Sequence, residues 1–314
     1  QAEDGIRDRS PSRGLGDVYK RQKYRILMLT EDGIVNWVKS QGGVLHTRKY
    51  SNLAQLDQYV NRENLFVCLT GYNNIVQYFF ANILSRFKHP VVLITLETDG
   101  FTMQDNYLKS DLLKHWFTWN KPCAHPKLSA LPIALNHDRH VPILSAFLSK
   151  KKEFNPTNLL LVNFDVKTNP IRYTLLRKAL EDWKAFAETN PYLKEEKFYV
   201  TNSIIDKRLG VKVTNRGYYD MINDYKFILS PPGAGEDCHR TWEALYVGCI
   251  PIVQSSAINE LYEGLPVLVI DSWEDISEEF LNQKWKEMSE RKYDMSKLTP
   301  EYWFARFIAV LGTG

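Results

Sequence analysis

Arg240 and Glu243 stand three residues apart in the run Tyr225-Lys226-Phe227-Ile228-Leu229-Ser230-Pro231-Pro232-Gly233-Ala234-Gly235-Glu236-Asp237-Cys238-His239-Arg240-Thr241-Trp242-Glu243-Ala244-Leu245. On a helix beginning near Asp237, both side chains leave one face close to the amino-terminal end. An ion pair between them is a poor account of this order. A cation in the first turn opposes the helix dipole, acid before base is the better arrangement, and the pair would be worth only about 0.2 to 0.5 kcal/mol. A ligand accounts for both residues: a guanidinium fork matches phosphate oxygens, and a carboxylate accepts from the two hydroxyls of a ribose. Around them, Ser230 closes an apolar run, Gly233 and Gly235 admit main-chain amides close to a ligand, and the helix start offers unpaired N–H groups. The set Ser230, Gly233, Gly235, Arg240 and Glu243 therefore points to a nucleoside diphosphate.

Holding such a set takes a strand, a turn and a helix, and the chain carries that pattern throughout. From Lys23 onward, short apolar runs alternate with longer amphipathic stretches, as in parallel sheets covered by helices. Strands are expected at Tyr24 to Leu29, Leu65 to Leu69 and Val91 to Leu96, with helices at Leu53 to Asn61, Ile75 to Phe87 and Asn106 to Trp116. A segment rich in Pro, His and Asn, Asn120 to Pro142, leads to a second half with the same alternation. There the expected strands are Leu159 to Phe164, Lys197 to Val200, Lys226 to Ser230, Ile250 to Gln254 and Pro266 to Ile270. The expected helices are Arg172 to Thr189, Gly217 to Asn223 and Asp237 to Val247. The fold class is α/β, with two Rossmann-like domains facing a cleft, and ligands are sought beyond the carboxyl ends of the strands.

Composition narrows the classes. A chain of 314 residues with 44% hydrophobic content is long enough for two cores. Its 40 basic and 37 acidic residues are interspersed and leave a net charge of +3, so no nucleic-acid footprint is present. Cys68, Cys123, Cys238 and Cys249 form no C-x-x-C pair and read as reduced thiols. No apolar run approaches the ~20 residues of a membrane-spanning helix. Residues 1–22 lack hydrophobic periodicity, resemble translated adapter sequence and are expected to lie outside the fold. The expected location is cytoplasmic or membrane-associated, or the Golgi lumen if an amino-terminal anchor has been lost.

The stretch Tyr225 to Ile270 resembles the exostosin-type glycosyltransferases, family 47. The matching marks are Lys226 to Gly233 (K-F-x-L-S-P-x-G), Arg240 to Leu245 (R-x-x-E-A-L) and Gly248 to Val253 (G-C-I-P-I-V), extended by Leu265-Pro266 and Asp271-Ser272-Trp273. The close similarity covers about 50 of the 314 residues, with looser likeness at His125 to Ile133 and Asn163 to Arg172. The resemblance implies a GT-B fold and transfer with inversion at the anomeric carbon. It associates the helix arginine with the diphosphate and the glutamate with the ribose, roles that fall on Arg240 and Glu243. In that scheme residues 23–143 form the acceptor-side domain, 144–297 bind the nucleotide-sugar, and 298–314 form a helix crossing back to the first domain.

The implied reaction is direct displacement by a hydroxyl of a glycan or glycoconjugate acceptor, with leaving-group charge on Arg240, the amides of Gly233 to Asp237, and Arg172. No cofactor is expected beyond the donor substrate, a UDP-sugar. No strand end carries an Asp-x-Asp, so metal independence is expected. Glu97 and Asp99, just after the strand Val91 to Leu96, are candidates for the general base by position, with His125 and His137 behind them. Glu236 and Glu243 are seven apart where retaining enzymes of this fold often carry glutamates eight apart, which favours inversion. A dinucleotide oxidoreductase is disfavoured, because Gly233 and Gly235 are followed by Cys238 and the next strand ends at Gln254 without an acidic ribose ligand. The alternative from another class is a non-catalytic carbohydrate- or nucleotide-sugar-binding protein that keeps the fold.

Overall fold

Runs such as Val91-Val92-Leu93-Ile94-Thr95-Leu96 are β-branched and aliphatic at every position, so they can only be buried on both faces, the condition of a strand inside a parallel sheet. The computed structural model describes residues 28–46, 56–71, 73–98, 103–104, 106–151, 154–181 and 215–312, and within them the fold is mixed α/β with two parallel sheets. The first contains β1 (Val44–His46), β2 (Phe66–Thr70), β3 (Val91–Leu96), β4 (Leu113–Thr118) and β5 (Leu128–Ala130) in that order. The second contains β6 (Asn158–Leu161), β7 (Tyr225–Leu229), β8 (Ile250–Gln254) and β9 (Leu268–Ile270), again in chain order.

Alternation along β3 divides its side chains between two cores. Val92, Ile94 and Leu96 enter one buried cluster and Val91 and Leu93 another. The former cluster is continuous across both halves, taking Phe117 from β4 together with Ile228 of β7 and Trp242 and Phe307 from helices of the second half. Tyr246 adds a polar tie, its hydroxyl accepting from Leu29 N at 3.0 Å and donating to Leu298 O.

The α-helices among the described residues are α1 (Glu31–Ser40), α2 (Asn73–Tyr78), α3 (Val141–Leu148), α4 (Pro170–Glu181), α5 (Asn215–Asn223), α6 (His239–Val247), α7 (Glu278–Ser289) and α8 (Pro300–Gly312). Thr30 caps α1, its hydroxyl accepting from Gly33 N at 3.0 Å. The aromatic face of α8 packs on the first half: Phe304 stacks on Trp37 at 4.9 Å and Phe307 meets Phe117 edge-on at 4.8 Å. No helix among the described residues is long and apolar enough to cross a membrane.

Several local expectations are corrected. Asn106 to Trp116 is not a helix: a short 3-10 turn, Tyr107–Lys109, is followed by β4. Leu108, Leu112, Leu113 and Trp116 recur at helical spacing, but Trp116, Phe117 and Thr118 complete a strand whose pairing with β3 and β5 decides the outcome. The single helix expected over Ile75 to Phe87 is α2, a π turn at Phe79–Ile83 and a 3-10 turn at Leu84–Arg86. β5 and the start of α3 arise in Asn120 to Pro142, read as a connection, and α1 and β1 in a stretch with no expected element; the two strands have only three residues each, and α3 opens with Pro142 in its first turn, where its missing N–H is no loss. That helix also runs across the junction expected at residue 143. Most of the expected strand Tyr24 to Leu29, all of Lys197 to Val200 and the end of the helix Arg172 to Thr189 lie outside the described residues, as do residues 1–22.

Candidate functional site

The buried strand β7 ends against β8, with Ser230 N donating to Ile252 O at 2.8 Å, and the chain then turns through Pro231 to Asp237 into α6. Ser230 is 2% exposed and its hydroxyl is within 2.8 Å of Thr241 Oγ1, so it fastens the strand end to the helix and presents no group to a ligand. Arg172, from the first turn of α4, braces the turn itself. Its Nε donates to Pro232 O at 2.8 Å, Nη2 to Pro231 O at 3.0 Å and to Cys238 Sγ at 3.3 Å, and Nη1 to Asp165 O at 3.1 Å. Four of its five N–H groups are occupied in this way. Asn169 adds a bond to Gly233 O at 3.0 Å, and Gly233 N closes on Gly235 O at 2.8 Å.

The two glycines owe their place to protein neighbours. A Cβ on Gly233 would sit 2.9 Å from Arg172 Nη2, and one on Gly235 would sit 2.4 Å from Asn120 Nδ2. Asn120 belongs to the first half, and its Oδ1 accepts from Asp237 N at 3.2 Å. The close approach read from sequence is therefore made by Arg172 and by a loop of the other half.

Asp237 anchors the start of α6. Its carboxylate accepts from Ile133 N at 2.9 Å, Trp242 Nε1 at 2.7 Å, Cys238 N at 2.9 Å and Tyr262 Oη at 3.3 Å. Burial pushes this carboxyl up to about 6, against the opposing pull of those donors. His239 follows, with Nδ1 at 2.7 Å from Ala134 O; a carbonyl only accepts, so Nδ1 carries the proton and Nε2 the lone pair. His140 packs edge-on against it at 4.7 Å, and its Nδ1 accepts from Asn136 N at 3.2 Å. Burial, aided by Arg139, drives His140 down to about 4, and burial also lowers His239, so both rings are neutral near pH 7.

Arg240 is the outlier. Its Nε and Nη1 are buried and have no hydrogen-bond partner among the described residues. Its guanidinium lies 5.7 Å from the Phe164 ring, and Arg172 lies 5.8 Å from the same ring. Two cations thus share one aromatic ring. Glu243, one helical turn on, feels that charge but makes no hydrogen bond or ion pair with it: Tyr219 donates to its Oε1 at 2.7 Å and Tyr218 to its Oε2 at 3.4 Å. Burial raises the Glu243 carboxyl, while the tyrosine hydroxyls and the charge of Arg240 hold it back.

These groups line a cavity of about 380 Å³ that includes Arg240, Glu243, Tyr218, His140, His239 and Arg172. A second cavity, of about 410 Å³, shares Gly233, Ala234 and Gly235 with it and reaches Asn120, Lys121, Asn169, Glu236 and Ser256. Glu97 follows β3 with φ at 58° and lines neither cavity, while Asp99 lies outside the described residues. His125 and His137 line neither as well; His125 Nδ1 accepts from Lys127 N at 3.1 Å. Sequence reasoning missed Tyr218, Tyr219, His140 and Asp237. Of these only Asp237, an acid at a helix start, carries a local signal. Among the described residues no three His, Cys, Asp or Glu side chains are grouped to hold a metal ion.

No protein-family model matches the chain, and no curated protein matches it. Among solved structures, it is similar to AviGT4, described as a glycosyltransferase involved in avilamycin A biosynthesis. The identity is 13%, the match spans 84% of this chain and 89% of that one, and the TM-score is 0.36, too distant to assign a role to any residue.

Proposed function

We propose that the chain is a glycosyltransferase of the GT-B kind, allied to the exostosin family, that moves a sugar from a nucleoside-diphosphate donor, a UDP-sugar, to a hydroxyl of a glycan acceptor. The observation that carries this reading is Arg240, a half-buried arginine at the wall of a cavity, whose Nε and Nη1 are buried and have no hydrogen-bond partner among the described residues. An unsatisfied buried donor costs about 1 to 3 kcal/mol, and more when charged, so a side chain left this way in the free protein is poised for an anion. A diphosphate in the cavity meets the guanidinium there, and a turn of the side chain that brings Nε and Nη1 to it replaces unsatisfied donors by charge-assisted hydrogen bonds.

Glu243 supports the same ligand one turn along α6. With Tyr219 fixing Oε1 and Tyr218 near Oε2, its remaining lone pairs are directed for a vicinal diol, as a ribose offers. Arg172 enters as a positioning residue, since it holds the turn through its carbonyls. In this reading the acceptor oxygen displaces the diphosphate directly, inverting the anomeric carbon, and Arg240 stabilises the departing charge without a metal ion. Calorimetric titration with UDP, GDP and inorganic pyrophosphate tests it. Glu243→Gln is expected to weaken UDP binding tenfold or more and to leave pyrophosphate binding within about twofold. Equal loss for both ligands contradicts the ribose assignment.

A further inference from the structure

The two cavities that meet at Gly233, Ala234 and Gly235 carry unpaired charges of opposite sign. In the first, Arg240 has Nε and Nη1 without hydrogen-bond partners among the described residues. The second is walled by the loop after β4, the start of α4 and the loop after β8, so it opens at the carboxyl ends of strands from both sheets. Its other polar side chains are largely committed. Lys121 Nζ bonds Glu260 Oε2 at 2.9 Å, Asn120 Oδ1 accepts from Asp237 N, and Asn169 bridges Gly233 O and Ile171 N. Glu236 differs: it is exposed, lines this second cavity, and makes no hydrogen bond or ion pair among the described residues. The other carboxylates around the turn are engaged, Asp237 by four donors, Glu243 by two tyrosines and Glu260 by Lys121 and Ala130 N.

We propose that the second cavity receives the polyhydroxyl acceptor, a carbohydrate, and that Glu236 is the catalytic base that takes the acceptor proton. The proposal rests on the reading of the first cavity as the nucleotide-sugar site. As the acceptor oxygen forms its bond to the anomeric carbon, the bond from that carbon to the diphosphate oxygen breaks. The acceptor proton passes to the Glu236 carboxylate, and the electron pair of the broken bond stays on the diphosphate beside Arg240. Negative charge is neutralised in one cavity as it develops in the other, and the polarity of the two sites favours that direction of flow. Walls of polar side chains and a volume of about 410 Å³ suit a hydrated, hydroxyl-rich ring better than an apolar group.

The experiment uses the full chain, UDP as the binding probe, and a panel of UDP- and GDP-sugars whose turnover is read as nucleoside-diphosphate release, with free mono- and disaccharides as acceptors and water as the fallback. Glu236→Gln is expected to keep UDP affinity within about twofold and to lower turnover by about 100-fold or more. Added formate is expected to restore part of the activity of Glu236→Ala, a response that loss of folding cannot give. Turnover by Glu236→Gln within threefold of wild type overturns this assignment and leaves the nucleotide site standing. Wild-type protein that binds UDP but releases nucleoside diphosphate from no donor overturns it too, since no reaction then needs a base. Wild-type protein that binds no nucleotide overturns the reading of the first cavity and this proposal with it.

Discussion

Replacing Arg240 by alanine separates a ligand-binding cation from a structural one, because the two roles move stability and affinity in opposite ways. In the free protein Arg240 shares the Phe164 ring with Arg172, at 5.7 and 5.8 Å, and leaves Nε and Nη1 unsatisfied. Truncation therefore relieves a desolvation cost of about 1 to 3 kcal/mol, while losing ring packing of about 0.5 to 2 kcal/mol. The net change therefore runs from a loss of about 1 kcal/mol to a gain of about 2.5 kcal/mol, so the melting temperature is expected to fall by no more than about 2 to 4 °C for a chain of this size. Affinity is expected to respond far more. Loss of a desolvated contact to phosphate costs about 2 to 5 kcal/mol, which is about 30- to 5,000-fold in Kd. Calorimetry with UDP and a melting curve on the same samples read both quantities, and Arg240→Lys is expected to recover only part of the affinity because an ammonium lacks the planar fork. A variant that melts more than about 8 °C lower yet binds UDP within threefold of wild type refutes the reasoning and makes Arg240 a structural residue.

Gly235→Ala is expected to lower the melting temperature and weaken UDP binding, since its Cβ would stand 2.4 Å from an Asn120 amide already fixed by Asp237 N; combination with Asn120→Gly is expected to restore part of both, short of full recovery because Asp237 N loses its acceptor, and no recovery contradicts the packing account. His140 is held down to about 4 against about 6.5 in an unfolded chain, so its neutral form stabilises the fold fully above pH 6.5 and that contribution is lost as pH falls toward 4. Relative to His140→Gln, wild type should therefore lose about 1 to 2 kcal/mol across that window after allowance for partial exposure, measured by urea unfolding, and a pH-independent difference would contradict it. Donor turnover is expected to survive a chelator, because Arg240 answers the leaving-group charge; complete loss with rescue by manganese or magnesium would sink that chemistry.

How far the sequence reaches depends on how local the interaction is. β7, the turn and α6 were legible because strand, breaker residues and helix follow one another within 23 residues, and β8 has the bounds expected for it, Ile250–Gln254. Arg240 and Glu243 could be read together because helical spacing alone brings them to one wall. Their surroundings could not. Tyr219 reaches Glu243 from 24 residues away, and Asn120 reaches Asp237 from 117 residues away, contacts that no periodicity encodes. The glycines show the same limit: their lack of a side chain was evident, but what fills the space is Arg172 and Asn120. In the first half, the apolar spacing of Leu108, Leu112, Leu113 and Trp116 imitates a helix, and only the pairing of β4 with β3 and β5 makes it a strand.

The most direct test of the nucleotide site is a structure of the wild-type protein crystallised with UDP. Diphosphate oxygens are expected within hydrogen-bond distance of Arg240 Nε and Nη1, with both ribose hydroxyls on the Glu243 carboxylate and Tyr219 still bonded to Oε1. UDP bound elsewhere, or bound in this cavity with Arg240 still unpaired, contradicts the account.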